Sequence, residues 1–83
     1  MKYGFNTKLS PEEIILKAKE FFGAGAGGLG LELTTDETCC ATLVGGGGRV
    51  SINAVAGEKH TAVDVEATEW DTQVKQFLKK YAS

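Results

Sequence analysis

Residues 29–67 read LGLELTTDETCCATLVGGGGRVSINAVAGEKHTAVDVEA, and apolar and polar side chains alternate within them in four short runs. An alternation with a period of two is typical of strands that bury one face. The segment therefore predicts four strands, joined by turns at 35–37, 45–48 and 57–60. The apolar members of the four runs are Leu29, Leu31 and Leu33, then Cys39, Ala41 and Leu43, then Val50, Ile52 and Ala54, then Val63, Val65 and Ala67.

Folding the chain at these turns predicts one antiparallel sheet with one covered face. In this register Leu31 faces Ala41, Ala41 faces Ile52, and Ile52 faces Val65, so all four apolar sets lie on the same side. A slip by one residue would turn a whole apolar set towards solvent. The other face is predicted to be polar and open to water, as is common in antiparallel sheets. Its side chains are Glu32, Cys40 or Thr42, Ser51 or Asn53, and Asp64 or Glu66.

Helical patterns flank this segment. Ser10, Pro11 and Glu13 form the start of a helix over 10–22, with a capping box and a proline in the first turn. We expect Gly23 to end this helix in a left-handed conformation. A second helix is predicted over 68–82, capped by Thr68, because one apolar face repeats at helical spacing: Trp70, Val74, Phe77, Leu78 and Tyr81.

A short strand over 2–6, carrying Tyr3 and Phe5, completes the predicted order (β)-α-β-β-β-β-α. The fold class is α+β, a four- to five-stranded antiparallel meander with an N-terminal and a C-terminal helix packed on one face. With 83 residues, the chain is predicted to be a single domain over 1–83.

Composition excludes some classes of function and favours others. The net charge of −2 and the pI near 5.3 argue against a nucleic-acid partner. Because no apolar run reaches the length of a membrane span and the first residues lack a secretion signal, we expect a soluble cytoplasmic protein without a membrane partner. The small size makes the balance of apolar burial against chain entropy marginal, so a homodimer is one expected partner state.

The two cysteines, Cys39 and Cys40, are adjacent, so they cannot join distant segments. We expect reduced thiols, with Cys39 as a small core residue and Cys40 on the open sheet face. His60 is the one histidine and is expected in a solvated turn. The spacing of these residues indicates no metal site, no cofactor and no catalytic set.

Two glycine clusters follow the first helix and the second predicted strand. The cluster Gly23–Gly30 matches the dinucleotide fingerprint G-x-G-x-x-G, but a helix precedes it and a strand follows, which is the reverse of the required order. It is interpreted as a helix end and loop, with a weak anion nest as the alternative. The run 45–48 is interpreted as a permissive hairpin loop, with a mobile flap or a closely packed backbone surface as alternatives. Arg49 is expected to pair with a carboxylate such as Glu66, or else to contact an anion.

Large aromatic side chains and small inner-face residues could together leave an apolar pocket under the C-terminal helix. Core packing explains the same aromatics without any pocket. The pocket hypothesis defines a candidate ligand site: Trp70, Phe77, Tyr81, Phe22 and Ala41, with Arg49 beside the glycine hairpin.

The helix start Ser10-Pro11-Glu12-Glu13 and the long final helix from Thr68 resemble the helix-grip fold of START-like and polyketide-cyclase-like proteins. The resemblance covers the order of elements over most of the chain, and it implies a ligand held between sheet and final helix. No binding residue is transferred from it. The stretch 63–71, VDVEATEWD, also resembles small uncharacterised bacterial proteins.

These observations favour a non-enzymatic module that binds a small apolar ligand between the sheet and the C-terminal helix. The alternative is a homo-oligomeric or protein-interaction module that uses the open sheet face, where Val55 and Ala62 lie beside polar residues, and has no ligand pocket. An enzyme is the third and least favoured hypothesis, because no base is spaced to serve a nucleophile.

Overall fold

Five strands form one antiparallel sheet, and two helices cover one of its faces. The computed structural model describes residues 1–25 and 28–82. Ala26 and Gly27, part of the predicted glycine loop, and Ser83 lie outside them. The elements are β1 (Lys2–Thr7), α1 (Pro11–Phe22), β2 (Glu32–Asp36), β3 (Cys40–Gly45), β4 (Gly48–Ala56), β5 (Thr61–Thr68) and α2 (Asp71–Tyr81). The predicted α+β fold class is therefore confirmed, including the short first strand.

The strand order is β1-β5-β4-β3-β2, so the first strand lies beside the last one. The predicted pairs of Ile52 with Ala41 and with Val65 are both present. The predicted pair of Leu31 with Ala41 is wrong, because Ala41 pairs with Asp36. The reason is the position of the first turn, which lies at 38–39 and not at 35–37: Glu37 and Cys40 exchange two backbone hydrogen bonds of 2.9 and 3.2 Å.

The strand β2 is shorter and more exposed than the leucine alternation predicts. It begins after Leu31, which is buried, while Leu29 and Leu33 are 40% and 38% exposed. The register shifts between Leu33 and Thr35, which indicates a bulge. Because the bulge adds one residue to β2, Leu33 pairs with Leu43 on the inner side, although the turn lies at 38–39 and not at the predicted 35–37.

The start of α1 agrees with its sequence signals. The Ser10 hydroxyl accepts a hydrogen bond from the Glu13 amide at 3.2 Å, and the Glu13 carboxylate accepts one from the Ser10 amide at 3.1 Å. These hydrogen bonds lower the pKa of Glu13 below its ordinary value. The predicted left-handed end at Gly23 is wrong, because its φ of −78° and ψ of −173° are extended. Glycine is needed there for space, since a Cβ would overlap the Lys19 carbonyl oxygen.

The start of α2 differs from the prediction as well. Thr68 does not cap the helix, because it is the last residue of β5 and pairs with Arg49. Glu69 then turns the chain with a φ of 68°, and Trp70 occupies the N-cap position without a side-chain hydrogen bond. The helix begins at Asp71, whose carboxylate accepts a 2.8 Å hydrogen bond from the Tyr3 hydroxyl and so connects α2 to β1.

The core lies between the inner face of the sheet and the two helices. Its buried apolar side chains are Ile14, Ile15, Ala18, Phe22, Leu31, Ala41, Leu43, Val50, Ile52, Ala54, Val63, Val65, Ala67, Val74 and Phe77. Neither α1 nor α2, the helices of the described residues, is long and apolar enough to cross a membrane.

Candidate functional site

The predicted aromatic site lies within the packed core. Phe22 and Phe77 are fully buried with ring centroids 5.5 Å apart, and Tyr81 packs on Phe77 at 4.8 Å. Ala41 belongs to the same buried cluster. These ring contacts are part of the core, and Tyr81 also lines a surface depression of about 400 Å³.

The two other residues of the predicted set lie apart from these rings. Trp70 packs against the glycine hairpin, where its indole N–H donates to the Gly45 carbonyl oxygen at 2.8 Å. Arg49 lies on the open sheet face, with its guanidinium 3.9 Å from the Glu66 carboxylate. The predicted pairing of Arg49 with Glu66 is thus confirmed, and it directs the guanidinium away from the aromatic cluster.

The four consecutive glycines of the hairpin between β3 and β4 suit it for two different reasons. Gly46 and Gly47 have φ values of 59° and 81°, which suit a tight two-residue turn. Gly45 and Gly48 approach other parts of the chain closely, since a Cβ would lie 3.3 Å from Leu31 Cα in one case and 2.7 Å from Glu69 Cβ in the other. Of the predicted alternatives, the closely packed backbone surface agrees with these contacts.

The cysteines differ most from their prediction. Cys39 and Cys40 form a disulfide bond between adjacent residues, so the expectation of reduced thiols is wrong. Cys39 is exposed and is not a core residue, because the two-residue turn removes it from the strand in which the sequence pattern placed it. Cys40 is half-buried on the open face as predicted, and its Sγ lies 3.2 Å from Oδ1 of Asn53.

One acidic side chain accompanies this disulfide. The Glu37 carboxylate and the two sulfur atoms all lie within 4.8 Å of one another. Glu37 and Cys40 are opposite residues of a hairpin, and opposite side chains project to the same side of it. The sequence shows the three residues within a stretch of four, but their convergence depends on the turn at 38–39.

The open sheet face contains a depression of about 580 Å³. Two rows of side chains cross the strands there, defined by the pairing of β1, β5, β4 and β3. Lys2 and Glu66 are long, whereas four positions of the floor beside them carry small residues: Gly4, Ser51, Thr42 and Cys40. The first row is Lys2, Glu66, Ser51 and Thr42, and the second row is Gly4, Asp64, Asn53 and Cys40.

Charges of both signs border the depression. Lys2 on β1 lies directly opposite Glu66 and diagonally across from Asp64 on β5. Among the ion pairs of residues 1–25 and 28–82, Glu66 contacts Arg49, whereas none involves Lys2 or Asp64. The hydroxyls of Thr42 and Ser51 lie 3.2 Å apart on the floor. The depression therefore offers a cation, an anion and neutral hydrogen-bonding groups to one small molecule.

No protein-family model, no curated protein and no solved structure matches the chain. The predicted helix-grip relationship therefore stays a prediction. The case for a function depends on the geometry of the chain itself.

Proposed function

We propose that this chain is a small binding module whose open sheet face holds a small polar ligand with one positive and one negative group. The observation that carries the proposal is the depression of about 580 Å³ with Lys2 and Asp64 beside it. Ligand sites typically enclose about 300–1,000 Å³, so the depression has a suitable size for a metabolite.

The charged groups fit a zwitterion. Diagonal neighbours in an antiparallel pair have Cα atoms about 7–8 Å apart, which is the relation between Lys2 and Asp64. The flexible lysine can reach a ligand carboxylate while Asp64 accepts hydrogen bonds from a ligand ammonium group. Ser51 and Asn53 lie on β4, between β5 and β3, and supply neutral hydrogen bonds to the rest of the ligand.

This location is favoured over the expected apolar site under the C-terminal helix. Phe22 and Phe77 have no exposed surface, so a ligand between sheet and helix would have to displace packed rings. Removing a buried aromatic side chain costs about 3–5 kcal/mol, and displacing packed rings for a ligand gives up contacts of the same kind. The apolar-ligand hypothesis stays a prediction that the same experiment addresses.

A second copy of the chain fits the open face less well than a small ligand does. A two-fold interface brings the same patch of both copies together, so the patch must complement itself. Two depressions facing each other would enclose a void, and a void lacks the contacts that stabilise an interface. The homodimer stays a prediction, and so does the cytoplasmic location.

Amide chemical shifts of ¹⁵N-labelled protein provide the test. We expect free amino acids, dipeptides or betaines to shift the amides of Gly4, Ser51 and Asp64, and fatty acids to shift none of them. Asp64→Asn removes a charged acceptor and should weaken binding about tenfold or more. The matched control is Glu58→Gln, which neutralises an exposed acid in the β4–β5 turn.

Two results would contradict the proposal. The first is a zwitterion panel at millimolar concentration that leaves the open-face amides unshifted. The second is a response to fatty acids at Phe77 and Tyr81, which would favour the expected apolar site under α2.

A further inference from the structure

We propose that the hairpin tip formed by Glu37, Cys39 and Cys40 is a redox-gated site for a zinc-like divalent cation. In the oxidised form the two sulfur atoms are bonded to each other. In the reduced form the two thiolates and the Glu37 carboxylate supply three donors, and water occupies the fourth position. This site shares Cys40 with the edge of the open-face depression, and Asn53 borders both. The inference does not rest on the proposed function.

The donor atoms already converge without any change in the backbone. All three lie within 4.8 Å of one another. A tetrahedral zinc ion with Zn–S bonds of about 2.3 Å needs its two sulfur ligands roughly 3.8 Å apart. In the oxidised form the S–S bond itself holds the two sulfur atoms closer than this, so the reduced thiolates must separate by rotation of the cysteine side chains, and the Glu37 carboxylate lies close enough to join them.

The backbone of the turn is held independently of the disulfide. Glu37 and Cys40 exchange backbone hydrogen bonds of 2.9 and 3.2 Å, and the Cys39 carbonyl oxygen accepts a 2.8 Å hydrogen bond from the Ala54 amide. Reduction therefore leaves both cysteines in place on the hairpin. Asn53, with Oδ1 3.2 Å from Cys40 Sγ, can accept a hydrogen bond from the thiol and orient it.

The donor chemistry selects the class of ion. Zinc accepts thiolate and carboxylate ligands together, whereas magnesium and calcium prefer oxygen donors throughout. Glu37 and Cys39 are exposed, so both a cation and a reductant can reach the site from solvent.

The gating step is thiol–disulfide exchange with an external dithiol. One thiolate of the dithiol attacks one sulfur of the Cys39–Cys40 bond, which forms a mixed disulfide and releases the other cysteine as a thiolate. The second thiolate of the dithiol then attacks the dithiol sulfur of the mixed disulfide and releases the remaining cysteine thiolate. The chain gains two electrons and two protons and becomes a pair of thiols, while the dithiol is oxidised to its own disulfide. Binding of the divalent cation then displaces the two thiol protons into solvent.

The test compares the oxidised and reduced forms of the same chain under anaerobic conditions, with Co²⁺ as the spectroscopic probe and Zn²⁺ as its competitor. We expect the reduced chain to bind one Co²⁺ with thiolate-to-cobalt charge-transfer absorption, which Zn²⁺ removes. The oxidised chain should show no such absorption. Alkylation followed by mass spectrometry should modify both cysteines only after reduction.

Variants separate the three donors. Cys39→Ser should weaken Co²⁺ binding at least a hundredfold, and Glu37→Gln about tenfold. Glu58→Gln, an exposed acid in the other hairpin turn, should leave the affinity unchanged. Circular dichroism verifies that each reduced variant keeps its fold.

The proposal is overturned by any of three results: equal Co²⁺ affinity of the oxidised and reduced chains, a reduced Cys39→Ser variant that binds like the parent, or one metal ion bound per two chains. An unchanged affinity of Glu37→Gln would overturn the three-donor site. If both cysteines are alkylated without reduction, the redox gate is refuted.

Discussion

Replacing Gly48 by alanine should destabilise the chain more than replacing its neighbour Gly47. The two positions differ in the reason for glycine. Gly47 has a φ of 81° with open space around it. Gly48 is not in the left-handed region, but it lies close to Thr68 and Glu69, which lead from β5 to α2. A Cβ at position 48 would overlap the Thr68 carbonyl oxygen and lie 2.7 Å from Glu69 Cβ.

The expected magnitudes follow from these contacts. At Gly47 the cost is conformational, about 1 kcal/mol for a left-handed alanine. At Gly48 the end of β4 must move away from β5, since real Cβ contacts stay beyond 3.0 Å. Overpacking and the loss of one ladder hydrogen bond together give about 2–4 kcal/mol.

Thermal unfolding followed by circular dichroism at neutral pH measures both variants. A domain of this size loses about 4–8 °C per kcal/mol, so Gly47→Ala should lower Tm by about 4–8 °C and Gly48→Ala by about 8–32 °C. Gly47→Asn is a control that tolerates the left-handed region and should lower Tm less than Gly47→Ala does. Equal losses for Gly47→Ala and Gly48→Ala would refute the argument from close approach.

Three further predictions concern individual hydrogen bonds. Ser10→Ala should cost about 1 kcal/mol in urea unfolding and Ser10→Asp almost nothing, because aspartate also caps a helix; equal losses would contradict a capping role. Trp70→Phe removes the donor to Gly45 and should cost about 1–3 kcal/mol by the same assay, and an unchanged midpoint would show that the bond is not needed. The Tyr3 hydroxyl, with the N-terminal ammonium and Lys75, lowers the pKa of Asp71 below 3.8. The resulting stabilisation is present at pH values above the ordinary pKa of aspartate and is lost as the pH falls through the lower folded pKa, so Tyr3→Phe should flatten the acid side of the stability curve; an unaltered curve would argue against the bond.

The register of β3, β4 and β5 could be predicted because each strand has one apolar face, and only one position of each turn places these faces on the same side of the sheet. The pairs of Ile52 with Ala41 and Val65 depend on nothing outside those strands. The strand β2 could not be predicted in the same way, since the alternation of Leu29, Leu31 and Leu33 continues where the strand does not. The register of β2 against β3 depends on the position of the turn at 38–39 and on the bulge between Leu33 and Thr35, and both change which residues pair.

Local signals predicted one helix start and misplaced the other. The capping box at Ser10 involves only residues within four positions, so the sequence contains all of it. The cap assigned to Thr68 fails because pairing with Arg49 extends β5 by one residue, and that pairing is a long-range contact.

The candidate sites could be predicted in part. Polar residues of the open face, such as Ser51 and Asp64, follow from the alternation, but the depression also needs Lys2 and Gly4. The pairing of β1 with β5 brings those two residues there, and the sequence pattern does not indicate which strand β1 pairs with. The bonded cysteines depend on the turn at 38–39. In the sequence, the adjacency of Cys39 and Cys40 indicates only that they cannot join distant segments.

The position of β1 at the edge beside β5 has a consequence for the order in which the sheet forms. Pairing Thr7 with Thr61 closes a loop of more than fifty residues, whereas the hairpins from β2 to β5 close over short turns. Closing the long loop costs roughly 2 kcal/mol more in chain entropy than closing a hairpin, and it gains nothing until β5 exists as a template. The meander of β2 to β5 should therefore assemble first, and β1 should be the last strand to join the sheet.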